Sequence, residues 1–228
     1  MNTVTVGRVA PPVNGPSSGG STRTYRSPRR EQQAARTRRA VLRAARDLFV
    51  RKGYADTTVA EVARRAKVSV DTLYASVGRK PQLLIAVHDM ELGSTDEPVP
   101  AEQREYVAAV RAAVGARAKL ATYADALGRV FPTTVPLAEA LRVAAVGDPE
   151  CRRVWEALNQ RRADNMLRLA ADLRSTGELR EDLTDEQVAH LIWTTNSPEY
   201  YQLVTSGGRT PAEYAATVLD VWTRTLLA

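Results

Sequence analysis

Apolar side chains in this chain recur at helical spacing almost everywhere and alternate almost nowhere. Val41, Leu42, Ala45, Leu48 and Phe49 follow one another at steps of one, three and four, and so do Val218, Val221, Trp222 and Leu226. That period places each set on one face of a helix. No alternating run lasts more than a few residues, so strands are not expected. The pattern predicts an all-α fold, with helical segments near 101–114, 116–131, 135–147, 149–175, 184–205 and 210–227 after a helical N-terminal third. Gly115, Pro132 to Pro136, Gly147-Asp148, Gly177 and Gly207-Gly208 are the expected breaks, and Pro198 is expected to interrupt the fifth segment. No internal repeat is visible.

The 228 residues, 44% hydrophobic and 25% charged, have the composition of a soluble globular protein and are ample to bury a core. No apolar run approaches the ~20 residues of a membrane span, so no membrane partner is expected. Cys151 stands alone, which excludes a disulfide scaffold. The first twenty residues lack an apolar stretch of signal-peptide length, and a cytoplasmic protein is expected. Charge is unevenly spread. Residues 1–80 hold 17 Lys/Arg and 5 Asp/Glu, a net of +12, whereas residues 81–228 hold 15 and 21, a net of −6. The first third therefore suits an anionic partner, nucleic acid and membrane surface both being open on charge alone. Residues 1–30 have no hydrophobic period and no acidic residue, are rich in Pro, Gly and Ser, and carry Arg23, Arg26, Arg29 and Arg30. They are expected to form a disordered basic arm, either solubilising or lying along a phosphate backbone or minor groove.

From Glu31 the helical period begins. Gly53 fits a helix C-cap, and Thr57 or Thr58 can cap a second helix with Val59, Val62 and Ala63 inward. Ser69 offers an N-cap to a third, with Val70, Asp71, Thr72, Leu73 and Tyr74 following. Two short helices joined by a tight turn make a helix-turn-helix. Leu73 is expected inward and Tyr74 outward. Lys80-Pro81 opens a further helix with Leu83, Leu84 and Val87 inward, and a break from Gly93 to Pro100 marks a domain boundary. Lys80 at a helix start opposes the helix dipole and asks for a compensating anion, which a DNA phosphate would supply.

The stretch RRAVLRAARDLFVRKGYADTTVAEVARRAKVSVDTLYASVGRKPQLLIAV, Arg38 to Val87, closely resembles the DNA-binding domain of the tetracycline-repressor-like (TetR) transcriptional regulators. Ala44-Ala45, Leu48-Phe49, Gly53-Tyr54, Thr57-Thr58-Val59, Val68-Ser69, Thr72-Leu73-Tyr74 and Lys80 carry the likeness. Beyond that stretch the likeness is one of length and layout. The resemblance implies an all-α protein with an N-terminal three-helix helix-turn-helix DNA-binding domain, residues 31–92 with the linking helix. A C-terminal helical ligand-binding and dimerisation domain, residues 101–228, would follow. It implies a homodimer on a palindromic double-stranded DNA operator, acting as a repressor released by a small-molecule effector. An activator or protein-responsive regulator of the same fold, or a low-specificity DNA-binding adaptor, is the alternative. Val70, Asp71 and Thr72 would face base edges. Valine suits a thymine methyl, threonine several bases, and aspartate only a donor such as cytosine N4. Tyr74, Lys80 and Thr57, or Thr58 in its place, would contact phosphates and set register. Two departures from the pattern stand out. Lys67 sits where the turn usually has glycine, which asks for a positive φ or a different turn, and Ser76-Val77 replaces an aromatic pair.

Nothing in the sequence argues for an enzyme, and no cofactor or metal is expected. His88 and His190 lie over a hundred residues apart, outside any metal-ligand spacing, and are expected to be structural, His190 within a packed helix. Tyr106, Tyr123, Phe131 and Trp155 could line an effector cavity with Met166, while Asn159 and Arg162 could fix a ligand. Trp155, Asn159, Arg162 and Met166 share one helix stripe, which would equally suit plain core. Aromatic residues crowd the thirty positions from 193 to 222. Trp193, Tyr200, Tyr201 and Trp222, with Val218, are candidates for a subunit interface, although they could equally pack inside one subunit.

Overall fold

Caps and turn glycines divide the helical period into ten α-helices among the described residues, which are 28–95 and 98–228 of the computed structural model. The expected arm lies outside them up to residue 27. The first helix, α1, spans Pro28–Lys52 and so begins three residues before Glu31, ending at Gly53, whose φ of 81° only glycine adopts freely. Three short or medium helices follow: α2 Val59–Ala66, α3 Val70–Val77 and α4 Lys80–Gly93. After a 3₁₀ turn at Ala101–Gln103 come α5 Glu105–Ala112, α6 Ala116–Ala144, α7 Pro149–Arg174, α8 Asp185–Thr195, α9 Pro198–Thr205 and α10 Pro211–Leu226. The one extended pairing among the described residues is an isolated antiparallel bridge, Leu179 to Leu227. The expected interruption at Pro198 is present, with Ser197 capping α9.

One expectation fails in an instructive way. The prolines at 132 and 136 do not separate two helices, because α6 runs through both. An interior proline costs a helix about 3 kcal/mol. Both rings are exposed and one turn apart, so they share the solvent face. The opposite face buries Val130, Phe131, Thr134, Val135, Leu137, Ala138 and Leu141. At about 1.5–3 kcal/mol for each large apolar side chain, that burial outweighs the lost backbone bonds. Thr133 and Thr134 hydroxyls both donate to the Val130 carbonyl, at 3.0 and 2.9 Å, within the same turn.

Two apolar cores result, and α6 contributes to both. The first joins α1 to α4 through Val41, Leu42, Phe49, Val62, Leu73, Leu84 and Val87, and continues onto Leu137, Leu141, Cys151 and Leu158. The second gathers α5 to α10 around Leu120, Leu127, Leu173, Ile192, Tyr214 and Trp222. Several ends are closed from afar. Glu178, in the α7–α8 connection, accepts the backbone N–H of Ala116 at 2.8 Å and so caps α6, whose own Gly115 has no side chain to do so. Buried Lys119 donates to the carbonyls of Val110 and Arg111 at the end of α5 and pairs with Asp172 at 2.9 Å. Gly128 lets α10 lie close on α6, since a Cβ there would meet the Pro211 carbonyl at 3.1 Å.

Candidate DNA-binding and effector sites

The helix-turn-helix is held together locally. Thr58 caps α2 through a reciprocal box, its Oγ1 accepting from the Glu61 N–H while the Glu61 carboxylate accepts from the Thr58 N–H. The Lys52 ammonium at 2.5 Å, with those cap bonds, holds Glu61 down to about 2. The turn closes on Lys67, which takes the left-handed conformation (φ 58°, ψ 40°) rather than a different turn, and the Val68 N–H reaches back to the Ala63 carbonyl at 3.0 Å. Ser69 then caps α3, accepting from the Thr72 N–H at 3.0 Å.

Helix α3 stands on Leu73, which is wholly buried, with Val70 and Val77 half-buried beside it. Asp71, Thr72 and Tyr74 face outward, as the expected inward Leu73 and outward Tyr74 require. The Thr72 hydroxyl lies 2.8 Å from that of Ser69, so it is oriented before any partner arrives. Thr57 and Thr58 separate clearly. Thr57 is buried and donates to the Gly53 carbonyl at 2.7 Å, which removes it from the surface, while Thr58 is exposed. Lys80 has found an internal answer to its unfavourable place. Its ammonium sits 4.3 Å over the Tyr54 ring and donates to the Ala55 carbonyl at 3.2 Å, and partial burial lowers its pKa. Around this head Arg65 pairs with Asp47 at 2.5 Å, whereas exposed Arg64 and Lys67 form no ion pair among the described residues. Neither cation is among the expected DNA contacts, although Lys67 stands out in the sequence for its place in the turn. Ser76, in place of an aromatic residue, gives its carbonyl to Arg38 at 2.6 Å and its hydroxyl to the Leu73 carbonyl.

A cavity of about 480 Å³ opens among α4, α5, α6 and α7. Tyr106, Tyr123, Phe131, Trp155, Arg162 and Met166 line it, six of the seven effector candidates. Asn159 does not. Its amide donates to the Trp155 carbonyl and its oxygen accepts from Arg162 at 3.0 Å, so it braces that guanidinium from behind. Tyr123 lies between Tyr106 and Trp222, stacked on both at 6.3 and 5.7 Å. Its hydroxyl accepts from the Asn196 amide at 2.8 Å, and burial pushes its pKa up. Arg162 also donates to Asn196 Oδ1 at 2.8 Å and faces the Trp193 ring at 5.5 Å, while burial lowers its pKa.

Beside the cavity lies a charged cluster that no spacing in the sequence announced. Buried Asp89, on α4, receives a two-pronged bond from Arg161 of α7 at 2.8 and 2.6 Å, and Arg104 approaches it at 3.6 Å. His88 Nδ1 lies 3.5 Å from the same carboxylate, at the far limit of a hydrogen bond, and has no closer partner among the described residues. Burial, opposed by Asp89, lowers the His88 pKa. Burial would raise that of Asp89, but hydrogen bonding and the Arg161 charge outweigh it, so the carboxylate stays ionised. The signal in the sequence was faint: His88 and Asp89 interrupt the otherwise apolar run from Leu83 to Met90, inside a helix.

The interface candidates divide. Val218 and Trp222 are wholly buried and Tyr201 nearly so, all in the protomer's own core. Trp222 Nε1 donates to the Thr195 hydroxyl at 2.6 Å and the Tyr214 hydroxyl to the Thr195 carbonyl at 2.9 Å, and these internal partners explain the aromatic crowding. Trp193 and Tyr200 stay half-buried, and Leu203, three residues beyond Tyr200 on α9, is 72% exposed. His190 is exposed on α8 and stacks on Trp193, against the expectation of a packed position.

Comparison with known proteins fits this layout. Residues 41–87 match the model of the family described as bacterial regulatory proteins, tetR family. No curated protein matches the chain significantly. Among solved structures, a transcriptional regulator from Saccharomonospora viridis in complex with choline superposes with a TM-score of 0.64 at 15% identity, covering 85% of this chain and 99% of that one. A TetR-family regulator from Rhodococcus sp. gives 0.60 at 18% identity over 82% and 96%. The regulator FadR from Bacillus subtilis, in complex with stearoyl-CoA, gives 0.56 at 16% over 80% and 96%. At these identities the likeness is one of fold.

Proposed function

We propose that this chain, whose residues 41–87 form a tetR-family DNA-binding domain, is a homodimeric repressor released from a palindromic operator when a small molecule fills the α4–α7 cavity. The observation that carries the reading is the reach of α4. That helix packs its N-terminal half against the helix-turn-helix and presents Asp89 to Arg161 and Arg104 at the cavity wall. A ligand that moves either guanidinium therefore acts on the element that seats α3. Two solved structures of similar fold hold choline and stearoyl-CoA, which supports a ligand-responsive role here. In a dimer, α3 of each subunit would enter successive major grooves about 34–36 Å apart. Thr72, Val70 and Asp71 would then meet base edges, and Tyr74, Thr58 and Lys80 would meet phosphates. With three of the five interface candidates inside the core, we place the subunit contact on α8 and α9, at Trp193, Tyr200 and Leu203.

The test is a titration of the purified protein against DNA from upstream of its own gene and against an unrelated fragment of equal length, at two salt concentrations. A thousandfold preference or more supports an operator-specific regulator. Equal, steeply salt-dependent binding to both fragments, found again with genome-wide footprints, would replace it with a general DNA-coating role.

A further inference from the structure

The cavity walls carry more positive charge than they neutralise. Five arginines line it, against two carboxylates, Glu102 and Asp172, and Asp172 is already paired with Lys119. Arg104 is buried, with 5% of the residue exposed. Among the described residues its one carboxylate contact is the 3.6 Å approach to Asp89, which Arg161 already holds with both prongs, and its Nε has no partner. Arg162 has only neutral partners, the oxygens of Asn159, Trp193 and Asn196, and no carboxylate within ion-pair distance among the described residues. Keeping one buried guanidinium on a shared counter-charge and a half-buried one with none is costly, and a native site that does both suits a counter-charge that arrives.

The two cations converge. Arg104 reaches the Tyr106 hydroxyl at 3.5 Å, Tyr106 stacks on Tyr123, and Arg162 holds the Asn196 whose amide bonds the Tyr123 hydroxyl. Both charges act on that same hydroxyl, favouring its ionised form against the burial that disfavours it. Along α6 the wall is largely apolar, formed by Leu127, Phe131, Val135 and Ala138 with Thr134 between them. The geometry points to an organic carboxylate as the effector, its anionic head taken by Arg104 and Arg162 beside Tyr123 and its aromatic or medium-length aliphatic body lying along α6. Guanidinium forks match carboxylate oxygens in pairs, and a volume of this size takes a ligand of drug-like dimensions. This assignment rests on the effector reading of the cavity and narrows it to one charge class.

The experiment uses the full chain and four probes: decanoate, 2-naphthoate, 1-decanol and decylammonium. Binding is read by isothermal titration and by tryptophan fluorescence, since Trp155 lines the cavity. Saturable binding of either acid, at least tenfold tighter than the alcohol and with the ammonium not bound, is the expected result. Arg162→Met should weaken the acid at least tenfold and leave the alcohol unchanged, while Arg162→Lys retains part of the loss. Arg104→Met is the second variant, and because that side chain is buried, Arg162→Met decides the matter if it fails to fold. Equal affinity for acid and alcohol, or no saturable binding of either acid, overturns the carboxylate assignment. Adding the bound acid to a protein–DNA complex separates the two readings. An acid that binds through Arg162 without releasing DNA upholds the ligand class and overturns the release mechanism, and release by the alcohol alone does the reverse.

Discussion

Lys67 occupies the left-handed turn between α2 and α3 with a side chain that gains nothing from being there, since it is exposed and forms no ion pair among the described residues. A non-glycine residue in that conformation costs about 1–2 kcal/mol. Lys67→Gly recovers most of that, less the entropy glycine loses on folding, so thermal unfolding should rise by ~2–4 °C for a chain of this size. It should also weaken DNA affinity modestly if the ammonium lies near phosphate, a loss that shrinks with salt. His88 carries a second prediction. Its pKa is lowered in the fold by burial, against Asp89 and with Arg104 and Arg161 facing it. The unfolded chain therefore takes up a proton first as pH falls, and the stability linked to this group is complete above the ordinary histidine value near 6.5 and drains away below it. Equilibrium denaturation between pH 7.5 and 5.5 should show that slope, and His88→Asn should flatten it. A slope unchanged in the variant would assign it to other groups.

At the scale of elements, α3 separates two roles that one short helix combines. Leu73→Ala removes the wholly buried side chain that seats it, for a loss of about 2–5 kcal/mol. Tyr74→Ala, one residue on and facing outward, should leave unfolding within about 0.5 kcal/mol yet weaken every DNA fragment by a similar factor. Chemical denaturation and DNA titration of the same two variants check both statements. The helix-turn-helix was legible in the sequence because its determinants are local: a cap at Thr57 or Thr58, another at Ser69, and apolar steps of three and four between them. The continuity of α6 was not legible. Proline is a local signal for a break, and what overrules it is burial against α4, α7, α9 and α10, which no local pattern reveals. The interior place of Trp222 and Tyr214 was hidden for the same reason, their polar atoms being satisfied by Thr195. Six cavity residues could be nominated by type and stripe, but Arg104 and the Asp89–Arg161 pair could not, because no periodicity links positions 89, 104 and 161.

For the whole molecule, the charged cluster and the shared core join the helix-turn-helix to the helices around the cavity. Arg161→Ala strips Asp89 of its bidentate partner. A loss of about 1.5–3 kcal/mol is expected for a charge-assisted bond of this kind, discounted because the Arg161 side chain is 42% exposed. Asp89→Asn in the same background should restore part of it, and the double-mutant cycle, run by denaturation, measures the coupling. Leu203→Glu, on the exposed side of α9, should shift the protein toward monomer in sedimentation while leaving the melting of the isolated protomer nearly unchanged. An unaltered sedimentation profile would move the interface off α8 and α9. The double membership of α6 has a consequence for rebuilding the protein. Leu137, Leu141, Cys151 and Leu158 complete the hydrophobic interior of α1 to α4. A chimera that grafts a different DNA-reading head onto this chain by cutting in the connection after α4 would therefore inherit a mismatched socket. The interchangeable part comprises residues 28–95 together with one end each of α6 and α7, and recombination that respects that seam should yield soluble hybrids where a cut at the loop yields aggregates.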